Sequence, residues 1–93
     1  MSEIKKKIKE IIEKNLEKIY EDNDVIVYIG LSDQTIKEII LTLLKERPMT
    51  ISELDRYLIG ITGKERARKL LAELIEEKKV KFDHITNLYM LND

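Results

Sequence analysis

Two Thr-x-x-Glu quartets stand twelve residues apart, Thr50-Ile51-Ser52-Glu53 and Thr62-Gly63-Lys64-Glu65. Each has the form of a helix-opening capping box, in which the Thr hydroxyl accepts the Glu backbone N–H and the Glu side chain reaches back. Met49 and Leu54 bracket the first box as a hydrophobic staple. Between the boxes lies Ile59-Gly60-Ile61, where glycine supplies the backbone freedom of a sharp turn. The spacing predicts a short helix over 51–58, a tight turn, and a longer helix over 63–77. On that second helix Ala67, Leu70, Leu71, Leu74 and Ile75 recur at the spacing of one buried face.

The flanking elements follow from periodicity. Ile4, Ile8, Ile11, Ile12, Leu16 and Ile19 form an apolar stripe on a Lys/Glu-rich helix over 3–21, with Ser2 as its cap. Glu21-Asp22-Asn23-Asp24 ends it. Val25-Ile26-Val27-Tyr28-Ile29 is short and β-branched and predicts a strand. Ser32 caps a further helix whose inward set is Ile36, Ile39, Ile40, Leu43 and Leu44, and Pro48 stops it. Val80-Lys81-Phe82 and Leu88-Tyr89-Met90-Leu91 predict two strands around a polar loop, a C-terminal hairpin.

A chain of 93 residues that is 43% hydrophobic supports one core. It contains no cysteine, so disulfides and thiolate metal sites are excluded. No run reaches the roughly 18 apolar residues of a membrane span, and no apolar leader follows the charged N-terminus, so a cytoplasmic protein is expected. Lys/Glu-dominated charge and abundant Ile match a thermophile's composition. The net charge of −1 hides an uneven distribution. Residues 61–81 carry seven bases against four acids, whereas residues 21–60 carry four against eight.

The order from residue 33 onward is helix, short helix, turn, longer helix and β-hairpin. It resembles the winged helix-turn-helix family, a mostly α, α+β fold of a three-helix bundle with a hairpin wing. The resemblance is carried by Met49-Thr50-Ile51-Ser52-Glu53-Leu54, by Ala67, Leu70, Leu71 and Leu74, and by the two hairpin strands. It covers about sixty residues. One departure is Lys78-Lys79, where many members place a glycine at the helix end. The expected domains are an added N-terminal helix over 1–24 and the winged domain over 25–93.

Small stand-alone members of this type resemble archaeal and archaeal-virus transcription regulators. The resemblance implies that helix 63–77 enters the major groove of double-stranded DNA while the hairpin touches backbone or minor groove. Helical angles place Lys69 opposite the buried face and set Arg66 and Arg68 at its flanks, with Lys64 at the N-terminus where backbone N–H groups also favour phosphate. The expected contacts are Thr62, Lys64, Arg66, Arg68 and Lys69 on the helix, Lys79 and Lys81 at the base of the wing, and His84, Thr86 and Asn87 at its tip. Ile85 in that loop is either a wedge or a residue folded back on the core. The acids from Glu73 onward disfavour phosphate, so insertion by the N-terminal end is expected. The stripe from Ile4 to Ile19 can cover its own domain or a second copy, and a homodimer is the favoured use.

No catalytic arrangement is legible. The chain has a single histidine and three glycines, and no nucleophile–base–acid set or phosphate loop. Asp22-Asn23-Asp24 lacks the downstream glycine and glutamate of a calcium loop. No cofactor, metal, membrane or small-molecule ligand is expected. The competing expectation is a protein-interaction module of the same fold that binds no DNA.

Overall fold

The computed structural model describes residues 3–22 and 31–92, with side chains in the first segment described as far as Lys14. The expected strand over 25–29, the cap at Ser2 and the side chains of Leu16 and Ile19 lie outside the described residues. The elements are α1 (Glu3–Asp22), α2 (Asp33–Glu46), α3 (Ile51–Leu58), α4 (Lys64–Glu76), β1 (Val80–Asp83) and β2 (Leu88–Leu91). The chain is thus mostly helical α+β, closed by an antiparallel hairpin.

α2 and α3 begin where the sequence supplies an acceptor for their unpaired N–H groups. Ser32 Oγ accepts the Thr35 N–H at 3.1 Å and opens α2. At α3 the full box forms: Thr50 Oγ1 accepts the Glu53 N–H at 3.3 Å, and Glu53 Oε1 accepts the Thr50 N–H at 3.0 Å. Arg47 Nη1 donates to the other Glu53 oxygen at 2.9 Å.

The second box does not form, which corrects the sequence reading. The Leu58 carbonyl accepts both the Ile61 and Thr62 N–H groups, with Gly60 at φ 83°. That draws Thr62 into the turn, and Gly63 becomes the N-cap of α4 with no side-chain hydrogen bond. Three residues beyond Gly63 stands Arg66, not an acid, so no reciprocal partner exists. The Thr62 hydroxyl is instead buried, with no partner among the described residues.

One core joins all the elements. Ile36, Ile39, Ile40 and Leu43 of α2 meet Leu54 and Leu58 of α3 and Ala67, Leu70, Leu71 and Leu74 of α4. Val80 closes it from β1. Ile75, expected inward, is 38% exposed. It sits about 90° around the helix from the centre of the buried set, on the margin. Met49 exchanges backbone hydrogen bonds with Tyr89 at 3.0 and 2.7 Å, so the staple residue also lays a one-residue third strand against β2. Tyr57 and Tyr89 pack on the rim of the core.

The α4 terminus explains the missing glycine. Lys79 N–H bonds the Leu74 carbonyl and Lys78 N–H bonds the Ile75 carbonyl, both at 2.9 Å. This is the double-bonded helix end that calls for a left-handed residue, and Lys78 adopts it at φ 64°. At the hairpin, β1 and β2 pair in the register Val80 to Leu91 and Asp83 to Leu88.

α1 folds back along α2. Ile4 and Ile8 are only 7% and 6% exposed and belong to the core, with Ile11 and Ile12 half-buried beside it. Lys7 Nζ reaches Glu46 at 2.8 Å and fixes the helix at the C-terminal end of α2. The part of the stripe assigned to a partner copy at Ile4 and Ile8 is therefore covered by the protein's own chain.

The two threonines give opposite expectations in denaturant unfolding. Thr50→Ala should destabilise by about 1 kcal/mol through loss of the cap. Thr62→Val should be neutral or stabilising, because it removes a buried hydroxyl that has no partner. Equal losses at both positions would mean that Thr62 caps α4 after all.

Candidate nucleic-acid interface

The exposed surface of α4 is set by what its opposite face buries. With Ala67, Leu70, Leu71 and Leu74 inward, Lys64, Glu65, Arg68, Lys69, Ala72 and Glu76 are exposed. The basic residues divide into engaged and unengaged sets. Arg66 is engaged most firmly. Its Nε and Nη2 donate to Asp33 Oδ1 at 2.9 and 2.7 Å, and Nη2 also donates to the Leu31 carbonyl at 2.7 Å. The guanidinium thus ties the start of α4 to the start of α2, and it holds the Asp33 carboxyl below its ordinary range.

Arg68 is held more loosely. Nη2 donates to Asp55 of α3 at 3.2 Å and Nη1 to the Lys64 carbonyl at 3.3 Å, both at the long end of hydrogen-bond distances. Lys64 and Lys69 are exposed, and no carboxylate among the described residues forms an ion pair with either. Lys69 adds only a through-space contribution to the lowering of Asp33.

The acidic end of α4 is partly neutralised from within. Lys37 Nζ bridges Glu73 at 2.9 Å and Glu77 at 2.8 Å. The Glu77 carboxyl is lowered by that hydrogen bond, and Lys37 is raised by its two partners, Glu77 first. The contrast between a basic and an acidic half of α4 is therefore weaker at the surface than in the sequence.

Thr62, expected at a phosphate, has its hydroxyl buried in the turn. Lys79 lies in the helix-end motif with its ammonium 3.8 Å from Glu77. Lys81 is exposed on β1. At the hairpin tip Asp83 organises the loop. Its carboxylate accepts the Ile85 N–H and the Thr86 hydroxyl, each at 2.9 Å, and these two bonds lower its titration in that order. Thr86 is thereby engaged within the loop. Asn87 takes φ 63° and closes it, and His84 stacks edge-on against Phe82 at 5.2 Å. Ile85 is not folded back on the core: it is 90% exposed at the apex.

The sequence reading gave the exposed side of α3 no part in the site. An open cleft of ≈ 470 Å³ runs between α3 and the start of α4, lined by Ser52, Arg56, Ile59 and Lys64 among others. Ser52 and Arg56 are one helical turn apart on the exposed side of α3, opposite Leu54 and Leu58. The spacing that placed Leu54 and Leu58 inward also contained that signal. Among the described residues no cluster of three His, Asp or Glu side chains could hold a metal ion, and no helix is long and apolar enough to cross a membrane.

Asp33, Glu53, Glu77 and Asp83 all titrate lower in the folded chain than their ordinary 3.8 or 4.5. Between those values the unfolded chain binds more protons, so the carboxylates stabilise the fold above the ordinary range and lose that effect as pH falls. The melting temperature should fall as pH drops below about 4. Asp33→Asn, which cannot titrate, should make the descent shallower; an unchanged descent would leave the Arg66 contact without weight. No family model, curated protein or solved structure matches the chain.

Proposed function

We propose that the chain is a winged helix-turn-helix DNA-binding protein, a transcription regulator that enters the major groove with the N-terminal turn and a half of α4. The observation that carries the reading is the uncapped start of α4: Gly63 offers no side-chain acceptor, exposed Lys64 follows it directly, and exposed Lys69 lies five residues further along the helix. A helix start of this kind favours phosphate through its N–H groups and its dipole. The α2, α3, turn, α4 and hairpin layout is compatible with the winged fold, and the strand-like Met49 to Tyr89 bridge adds to that likeness.

Roles follow from how firmly each cation is held. Lys64, Lys69 and Lys81 serve phosphate, with Arg56 added from α3. Arg68, held by two long bonds, exchanges Asp55 for a base edge, where its planar fork suits guanine. Arg66, with three bonds of 2.7–2.9 Å, stays on Asp33 and positions the helix. The hairpin tip, with Lys81 below and His84 and Ile85 above, steadies the approach in the neighbouring groove. A homodimer would have to use α1 surface other than Ile4 and Ile8, which the protein's own core covers. The competing reading, a protein-interaction module, draws on the net charge of −1 and on Glu65 among the exposed cations.

Salt dependence tests the proposal. About four phosphate contacts give a slope of log K against log [salt] of roughly −3 to −4. Lys64→Ala and Lys69→Ala should each weaken all duplexes alike and reduce the slope by about 1. Arg68→Ala should instead flatten the preference among sequences selected from a random pool. Absence of duplex binding at low salt would remove the proposal in favour of the interaction module.

A further inference from the structure

The end of the molecule away from the start of α4 carries a second basic surface. Two clefts, of ≈ 370 and ≈ 420 Å³, lie on either side of the exposed face of α2, one against α1 and one against the hairpin. They share Glu38, Thr42 and Lys45 and so form one groove across the C-terminal half of α2. Its floor on the hairpin side is apolar, made by half-buried Leu41 and Leu91. Its rim is lysine: Lys14 from α1, Lys45 from α2, and Lys78 and Lys79 after α4.

No carboxylate among the described residues pairs with Lys14, Lys45 or Lys78, and Lys79 is 3.8 Å from its nearest partner. Only Lys7 is fully engaged, by Glu46 at 2.8 Å. The groove thus gathers Lys14, Lys45 and Lys78, with Lys79 held only at long range, against Glu10 and Glu38 in a chain whose net charge is −1. The 13 residues of α4 separate this end from Lys64 by roughly 20 Å along the helix axis. A duplex held at the start of α4 would leave the groove open.

We propose that this groove is a docking site for an acidic amphipathic segment of a partner protein. A ligand that satisfies it must bring anionic groups to the rim and one or two apolar side chains to the floor. A nucleic-acid backbone meets the first requirement and not the second, so the leucine floor decides between them. The proposal does not depend on DNA binding.

The test is an NMR titration of the ¹⁵N-labelled chain with a synthetic peptide two to three helical turns long, with leucine at i, i+3/i+4 and i+7 and glutamate elsewhere. Saturable shifts are expected at Leu41, Thr42, Lys45, Lys78, Lys79 and Leu91. The double variant Lys45→Glu/Lys78→Glu should weaken binding about tenfold, two rim contacts being turned repulsive. Both side chains are exposed, and an unchanged melting curve verifies the fold. A peptide with serine for leucine should lose the shifts. The proposal is overturned by no saturable shift, by equal binding of the serine peptide, by shifts centred on Lys64 and Lys69, or by a short duplex DNA occupying the groove.

Discussion

Every polar group on the surface of α4 stands where it does because Ala67, Leu70, Leu71 and Leu74 are buried against α2. Burying each of the three leucines contributes on the order of 1.5–3 kcal/mol, several times what an exposed ion pair can add. The stripe therefore fixes the rotation of the helix, and the ion pairs only trim it. α3 packs on α4 from the turn side, and β1 continues from its C-terminal end with Val80 in the same core. Lys64 and Lys69 face outward as a consequence of the leucines, not of any contact they make.

The carboxylates then sort the cations. Asp33 takes Arg66, Asp55 loosely takes Arg68, and Glu73 with Glu77 takes Lys37. What remains is a short basic end at the start of α4 and a lysine-rimmed groove at the other end of the bundle. Both can coexist with a net charge of −1 because the charge is unevenly distributed: residues 21–60 carry eight acids against four bases. A total charge gives no hint of this, since it cannot separate a lysine clamped by two glutamates from one that projects freely.

The apolar pattern and the local capping contacts at Thr50 were legible in the sequence, and the long-range polar contacts were not. The inward positions of α2, the box at Thr50 and the strands of the hairpin follow from period and capping chemistry, because each depends on neighbours within one turn or one hairpin. Ile75 was misplaced because a spacing rule cannot say how wide the buried arc is. The second box failed on a tertiary detail: the Leu58 carbonyl took the Thr62 N–H and moved the cap to Gly63. The clasp between Arg66 and Asp33 spans 33 residues, and that between Lys37 and Glu77 spans 40, beyond any local rule. The choice between a folded-back α1 and a second copy rests on the same kind of long-range fact, the Ile4 and Ile8 contacts with α2.

The central claim, that the start of α4 is the surface that meets DNA, is most directly tested by mapping amide shifts of the ¹⁵N-labelled chain on addition of duplex at low salt. The account predicts shifts concentrated at Gly63 to Lys69, at Ser52 and Arg56, and at Lys81 to Ile85, with α1 and the Lys45 groove unmoved. Shifts centred on the groove, or no shifts at all, would contradict it.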